Sequence, residues 1–191
     1  MTFGAGALIR VVPLVVLAVV LQIAGLAQMH LFGGTFDLVP LVVAAVAFYA
    51  GSMPGSIVGF SAGLLLDMAL GQNLGLSSLI LTAVGYLVGR FREVRDPAHG
   101  LLPIAVGAAA TAGYAAGFAG LSFMLEIEAS VSAEIFRSML VTIWLNALVA
   151  LPVFWLVRKL LRPVLLYDPM ERRRRREPLS TGPIGLRGLG V

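Results

Sequence analysis

Cysteine is absent from the 191 residues, which excludes a disulfide-stapled secreted domain, a cysteine-ligated metal and a thiolate nucleophile. Charge is scarce too. Asp, Glu, Lys and Arg make up 13% of the chain, about half the share usual in a soluble domain. With 59% of residues hydrophobic and a mean hydropathy of +0.94, the chain is built for lipid as its solvent, and a soluble globular enzyme is ruled out. The common catalytic patterns are missing as well: there is no H-E-x-x-H, no G-x-S-x-G and no phosphate loop. His30 and His99 fall on opposite sides of the membrane in the topology below, so they share no metal or relay. No enzymatic activity and no cofactor are expected.

What is present is a series of apolar runs, at about 7–29, 38–52, 56–70, 76–89, 101–125 and 135–157. A helical span needs about 20 residues at about 1.5 Å per residue. The expected fold is therefore an all-α integral membrane protein of about six transmembrane helices in one bundle. It occupies residues 1–166 and is followed by a basic, disordered tail at 167–191. The first run is too long for the apolar core of a signal peptide, so it is expected to stay as a span. The second and third runs are short and are joined by Gly51-Ser-Met-Pro-Gly55. They are expected either to tilt or to dip in and return together. Pro40, Pro54 and Pro103 stand in the first turns of their runs, where a missing N–H costs nothing, whereas Pro152 lies inside the sixth run and should kink it.

Lysine and arginine flanking spans stay on the cytoplasmic side. Six runs put Arg10, Arg90, Arg92, Arg95, Arg158, Lys159, Arg162, the run 172–176 and Arg187 on one side, leaving only Arg137 opposite. With the acidic residues sorted in the same way, the two sides carry about +8 and about −4. Both termini are expected in the cytoplasm.

Gly51, Gly55, Gly59 and Gly63 recur every fourth residue, and Ala110, Gly113, Gly117 and Gly120 form a second small-residue face, with Gly85 and Gly89 suggesting a third. Such faces let helix backbones approach closely, either within a bundle or against a partner. Asp67 follows the first stripe by one turn. A carboxylate there either caps the next helix through the loop containing Gln72 and Asn73 or makes a functional contact. Thr142 and Asn146 are expected to hydrogen-bond between helices. Glu126, Glu128 and Glu134 are read as solvated. Arg172, Arg173, Arg174, Arg175 and Arg176 form a basic cluster expected to contact anionic lipid headgroups, each contributing about 1 kcal/mol. Without interleaved aromatics, nucleic acid is not expected as a partner.

The central motifs stand in a recognisable order: Phe36-Asp-Leu-Val-Pro40, then Gly55-Ser-Ile-Val-Gly59-Phe-Ser-Ala-Gly63-Leu-Leu-Leu-Asp67, Gly75-Leu-Ser-Ser and Gly85-Tyr-Leu-Val-Gly-Arg90. In this arrangement the chain resembles the MreD family of rod shape-determining membrane proteins. The resemblance implies a non-enzymatic scaffold of the bacterial cell-wall elongation complex in the inner membrane. Its partner would be the bitopic protein MreC and, through MreC, the penicillin-binding transpeptidase, the glycosyltransferase RodA and the actin-like MreB. The partner face would be Gly55, Gly59, Gly63 and Asp67. It also implies a fold similar to the substrate-binding subunits of energy-coupling-factor transporters, and hence an alternative function as a vitamin-binding transporter subunit. The arginine run and the long small-residue fifth run depart from the family pattern.

Overall fold

The computed structural model describes residues 5–24, 35–71, 73–94, 102–125 and 133–165. They form six helices, α1 (Ala5–Ala24), α2 (Leu38–Ala50), α3 (Ser52–Leu70), α4 (Leu76–Val94), α5 (Leu102–Met124) and α6 (Ala133–Leu165). Among the described residues, three stretches are long and apolar enough to cross a membrane: Ser52–Leu70, Leu102–Met124 and Arg137–Leu161. His30, His99, Glu126, Glu128 and the tail with Arg172–Arg176 lie outside the described residues, as does the side chain of Glu134.

α2 sets the architecture. It touches all five other helices, and every residue from Val39 to Phe48 is buried, which fits a segment that is apolar all round. Its 13 residues reach about 20 Å, well short of an approximately 30 Å hydrocarbon layer. A short helix enclosed by longer ones leaves its N-terminal N–H groups inside the bundle, where other chain segments must satisfy them.

The connection from α2 to α3 is tighter than the sequence suggests. A turn spanning 51–55 was expected, yet only Gly51 is non-helical, with φ +100° and ψ −179°, a region essentially closed to other residues. Its N–H donates to the Ala47 carbonyl, and its own carbonyl accepts from Gly55 N–H. Met53, Pro54 and Gly55 already belong to α3. Pro54 is tolerated because an N–H in the first turn has no partner within the helix to lose. Pro40 and Pro103 likewise sit in the first turns of α2 and α5, while α6 continues helical on both sides of Pro152.

Two helices run beyond their apolar stretches. α4 continues to Val94, past the expected end at 89, and α6 continues to Leu165, past 157. Arg90 pairs with Glu93 at 3.3 Å one turn on. Lys159 lies over the Trp155 ring, 5.1 Å from its centroid. Both arrangements suit a helix leaving an apolar layer, where long cationic side chains lay their stems along apolar surface. The described basic residues other than Arg137 gather at one end of the bundle. Arg10 donates to the Leu160 carbonyl at 3.3 Å, Arg92 lies over Phe48 at 5.5 Å, and Arg92 and Arg158 both act electrostatically on Tyr49.

Candidate functional site

The glycines of α3 are buried against α4. A methyl group built on Gly59 would overlap the Leu81 carbonyl, one on Gly63 would overlap the backbone of Ser78, and one on Gly55 would meet both Ala47 and the Gly85 carbonyl. From the other side, methyls on Gly85 and Gly89 would run into the backbone of Gly55 and of Gly51–Ser52. The glycine faces that the sequence shows on the third and fourth runs therefore mesh with each other, backbone against backbone. Gly51, the first of the four spaced glycines, is the turn rather than part of the helical stripe. The face on α5 engages less. Gly117 meets Ile80, Gly113 touches Val84 at ordinary distance, and Gly120 faces open space.

Carboxylates close both ends of this α3–α4 seam. Asp67, in the last turn of α3 and with no exposed surface, accepts Gly75 N–H on Oδ2 at 2.8 Å and Ser77 N–H on Oδ1 at 3.3 Å. It thus caps the start of α4. The donors are backbone groups at 75 and 77, later in the chain than the Gln72 and Asn73 region. At the opposite end, Glu93 in the last turn of α4 accepts both Ser52 N–H at 2.8 Å and Ser52 Oγ–H at 2.7 Å, capping the start of α3. The Ser52 N–H, first of all, holds the Glu93 carboxyl below its ordinary value, with Arg90 adding to the effect. Each helix therefore carries the N-terminal cap of its neighbour. Negative charge at a helix N-terminus is favourable in both hydrogen bonding and dipole.

This geometry sets the expected behaviour at Asp67. Asparagine keeps an acceptor for one N–H, so Asp67→Asn should cost about 1 kcal/mol. Asp67→Leu leaves two N–H groups at a buried helix start without acceptors and should cost about 3 kcal/mol or more. Thermal unfolding of the detergent-solubilised variants checks the order; equal losses would mean that the carboxylate is not serving as a cap.

A second polar cluster surrounds the start of α2. Asn146 of α6 pairs with the backbone of Asp37 like a peptide: Asp37 N–H donates to Oδ1 and Nδ2 donates to the Asp37 carbonyl, both at 3.2 Å. The second Nδ2 hydrogen reaches Thr111 Oγ1 of α5 at 3.3 Å, and Thr111 donates on to the Gly107 carbonyl. From α1, Gln22 accepts Val39 N–H at 2.8 Å and donates to Asp37 Oδ1 at 3.4 Å. Thr142 accepts Thr35 N–H at 3.1 Å. Side chains from α1 and α6 thus satisfy the backbone before and within the first turn of α2, and Thr111 of α5 holds Asn146 in place. Among the described residues, no buried side-chain nitrogen or oxygen lacks a partner.

The interhelical roles expected of Asn146 and Thr142 are seen here, directed at the segment leading into α2. Gln22, Asp37 and Thr111 belong to the same hub, which the sequence did not bring together. Their signal was slight: one amide in an apolar run and one acid at its far side. Asp37 is its least comfortable member, because burial pushes its carboxyl up from 3.8 to about 6. Tyr114 connects hub and seam, since its hydroxyl meets Ser77 Oγ at 3.2 Å and lies within electrostatic reach of both Asp37 and Asp67.

Against known families, the model for the rod shape-determining protein MreD matches residues 6–164, which takes in α1 through α6. No curated protein matches the chain. No solved structure matches it either.

Proposed function

The chain belongs to the MreD family of rod shape-determining membrane proteins, and from that premise we propose that it is a non-enzymatic scaffold of the bacterial cell-wall elongation complex. In this reading it sits in the inner membrane as a six-helix bundle with both termini in the cytoplasm. It binds MreC, and through MreC it links the penicillin-binding transpeptidase and RodA to the MreB cytoskeleton. The tail arginines 172–176 rest on anionic headgroups.

The observation that carries this reading is the α3–α4 seam. Backbone-to-backbone packing and reciprocal caps make these two helices a stiff pair, and the outward side of α3 then presents Met53, Ile57, Phe60, Leu64 and Met68 in a 4-3-4-4 spacing. Phe60 is 54% exposed and Met68 65%. A row at that spacing is what a single crossing helix packs against. Gly55, Gly59, Gly63 and Asp67 serve the partner surface by holding this row in place, and α3 with its neighbours is the MreC-binding element.

Replacing Phe60 and Leu64 together by alanine should lower MreC co-purification at least tenfold, with the thermal midpoint of the isolated protein unchanged and rod cells rounding as depletion of the protein should also make them do. Undiminished co-purification would remove α3 from the interface. The transporter alternative would draw on the hub around Asp37 for its ligand, yet those groups are engaged with one another and with the α2 backbone. A vitamin-like molecule retained through purification and seen by mass spectrometry would favour that alternative.

A further inference from the structure

A crevice between α4 and α5 belongs to neither the seam nor the hub. The two helices touch where Gly117 meets Ile80 and Gly113 meets Val84, then part toward the end that carries the basic residues. The space between them measures about 410 Å³ and is lined by Val84, Leu87 and Phe91 on one wall and Leu102, Val106 and Ala109 on the other. No charged side chain lines it. It opens sideways out of the bundle past Leu87 and Phe91, which are 64% and 41% exposed.

Shape discriminates between occupants. On α5 the lining runs from Leu102 to Gly113, which is about 17 Å of helix axis. Spread over that length, 410 Å³ gives a mean cross-section of about 24 Å². An α-helix about 10 Å across has a section of about 80 Å², so the crevice could not enclose one. A methylene group takes up about the volume of a water molecule, roughly 30 Å³, and advances about 1.3 Å along an extended chain. Its section is therefore about 23 Å², and both the length and the volume correspond to about 13 methylenes. A straight hydrocarbon chain has that form.

Charge supplies the second, independent indication. The end of the bundle toward which the crevice widens carries Arg10, Arg90, Arg92, Arg158 and Lys159 among the described residues, with Glu93 the only acid on those helix ends. Basic ends between helices attract anionic headgroups of the adjoining leaflet.

We propose that the α4–α5 crevice binds one acyl chain of an anionic phospholipid, whose phosphate lies at the basic end of the bundle. The buried chain gains much relative to water but little relative to the lipid tails around it, so retention depends on fit and headgroup charge together. The lipid fills the gap beside α4 left by α5, whose buried residues are only Val106, Gly107, Ala110 and Thr111.

The test uses the full-length protein in nanodiscs of equal phosphatidylglycerol and phosphatidylcholine, with bound lipid counted by native mass spectrometry after release. The wild type should retain phosphatidylglycerol at least fivefold over phosphatidylcholine. Ala109→Phe fills the slot from an exposed position and should reduce retained phosphatidylglycerol at least fivefold. Ala116→Phe, on α5 but outside the crevice, should leave it unchanged and controls for folding. Equal retention of the two lipids, or full retention by Ala109→Phe, would overturn the proposal. So would loss of MreC co-purification in Ala109→Phe with the lipid count unaltered, since a protein helix would then be the occupant.

Discussion

Alanine at Gly59 should abolish accumulation of folded protein, although it adds only one methyl group. That methyl would overlap the Leu81 carbonyl, with Thr82 N close behind, and backbone atoms in two helices have no rotamer through which to yield. Relief requires α3 and α4 to separate. Separation loosens the contacts of Gly63 with Ser78 and of Gly55 with Gly85, and it draws Asp67 away from Gly75 and Glu93 away from Ser52. Overpacking costs about 1–3 kcal/mol where side chains can shift. Here about 3 kcal/mol is a lower bound, set against a total stability of about 5–15 kcal/mol. Gly120→Ala is the matched control, because nothing lies within 4 Å of its added methyl, and replacing a helical glycine there should be neutral or slightly stabilising. Size-exclusion profiles and thermal midpoints in detergent read both. A Gly59→Ala midpoint within a few degrees of wild type would mean that the seam is looser than this geometry.

The seam was half legible in the sequence. Spacing alone showed that Gly55, Gly59 and Gly63 share a face and that Gly85 and Gly89 share another. It did not show that these faces meet, because a period of four residues identifies a side of a helix and not what lies across from it. The Asp67 cap was one of two readings left open, and the distances to Gly75 N and Ser77 N show that cap. Helix ends were less legible. Hydropathy reports the solvent around a residue, so it stopped at 89 and 157, while the backbone hydrogen bonds of α4 and α6 run on into charged residues. It also left the placement of α2 open, because an apolar run of that length reads the same whether it crosses the bilayer or is enclosed by other helices. The hub was least legible of all. Gln22, Asp37, Thr111 and Asn146 are spread over 125 residues of sequence, and each alone looks like an ordinary polar interruption. Their common purpose arises only from a short central helix whose first N–H groups must be met.

That purpose predicts opposite outcomes for two substitutions in the same cluster. Asn146→Leu removes the partner of both the Asp37 N–H and its carbonyl, and it takes a donor from Thr111. At about 1–3 kcal/mol for each buried group left unsatisfied, the loss should reach about 3–5 kcal/mol and leave little folded protein at 37 °C. Asp37→Asn should stabilise instead. The folded carboxyl titrates at about 6 against an ordinary 3.8, so between those values the folded state binds more protons and stability falls as the pH rises. Above about pH 6 the folded chain carries an ionised carboxylate whose side-chain donor among the described residues is a Gln22 amide at 3.4 Å. Asparagine still accepts from Gln22, and its backbone still pairs with Asn146. Its gain should be about 2 kcal/mol at pH 7.5 and vanish near pH 3, where the wild-type carboxyl is protonated in both states. Thermal midpoints at the two pH values measure both variants. If Asp37→Asn is destabilising at pH 7.5, the carboxylate has a cationic or catalytic partner that the hub does not contain, and the reading of Asp37 as a strained structural group fails.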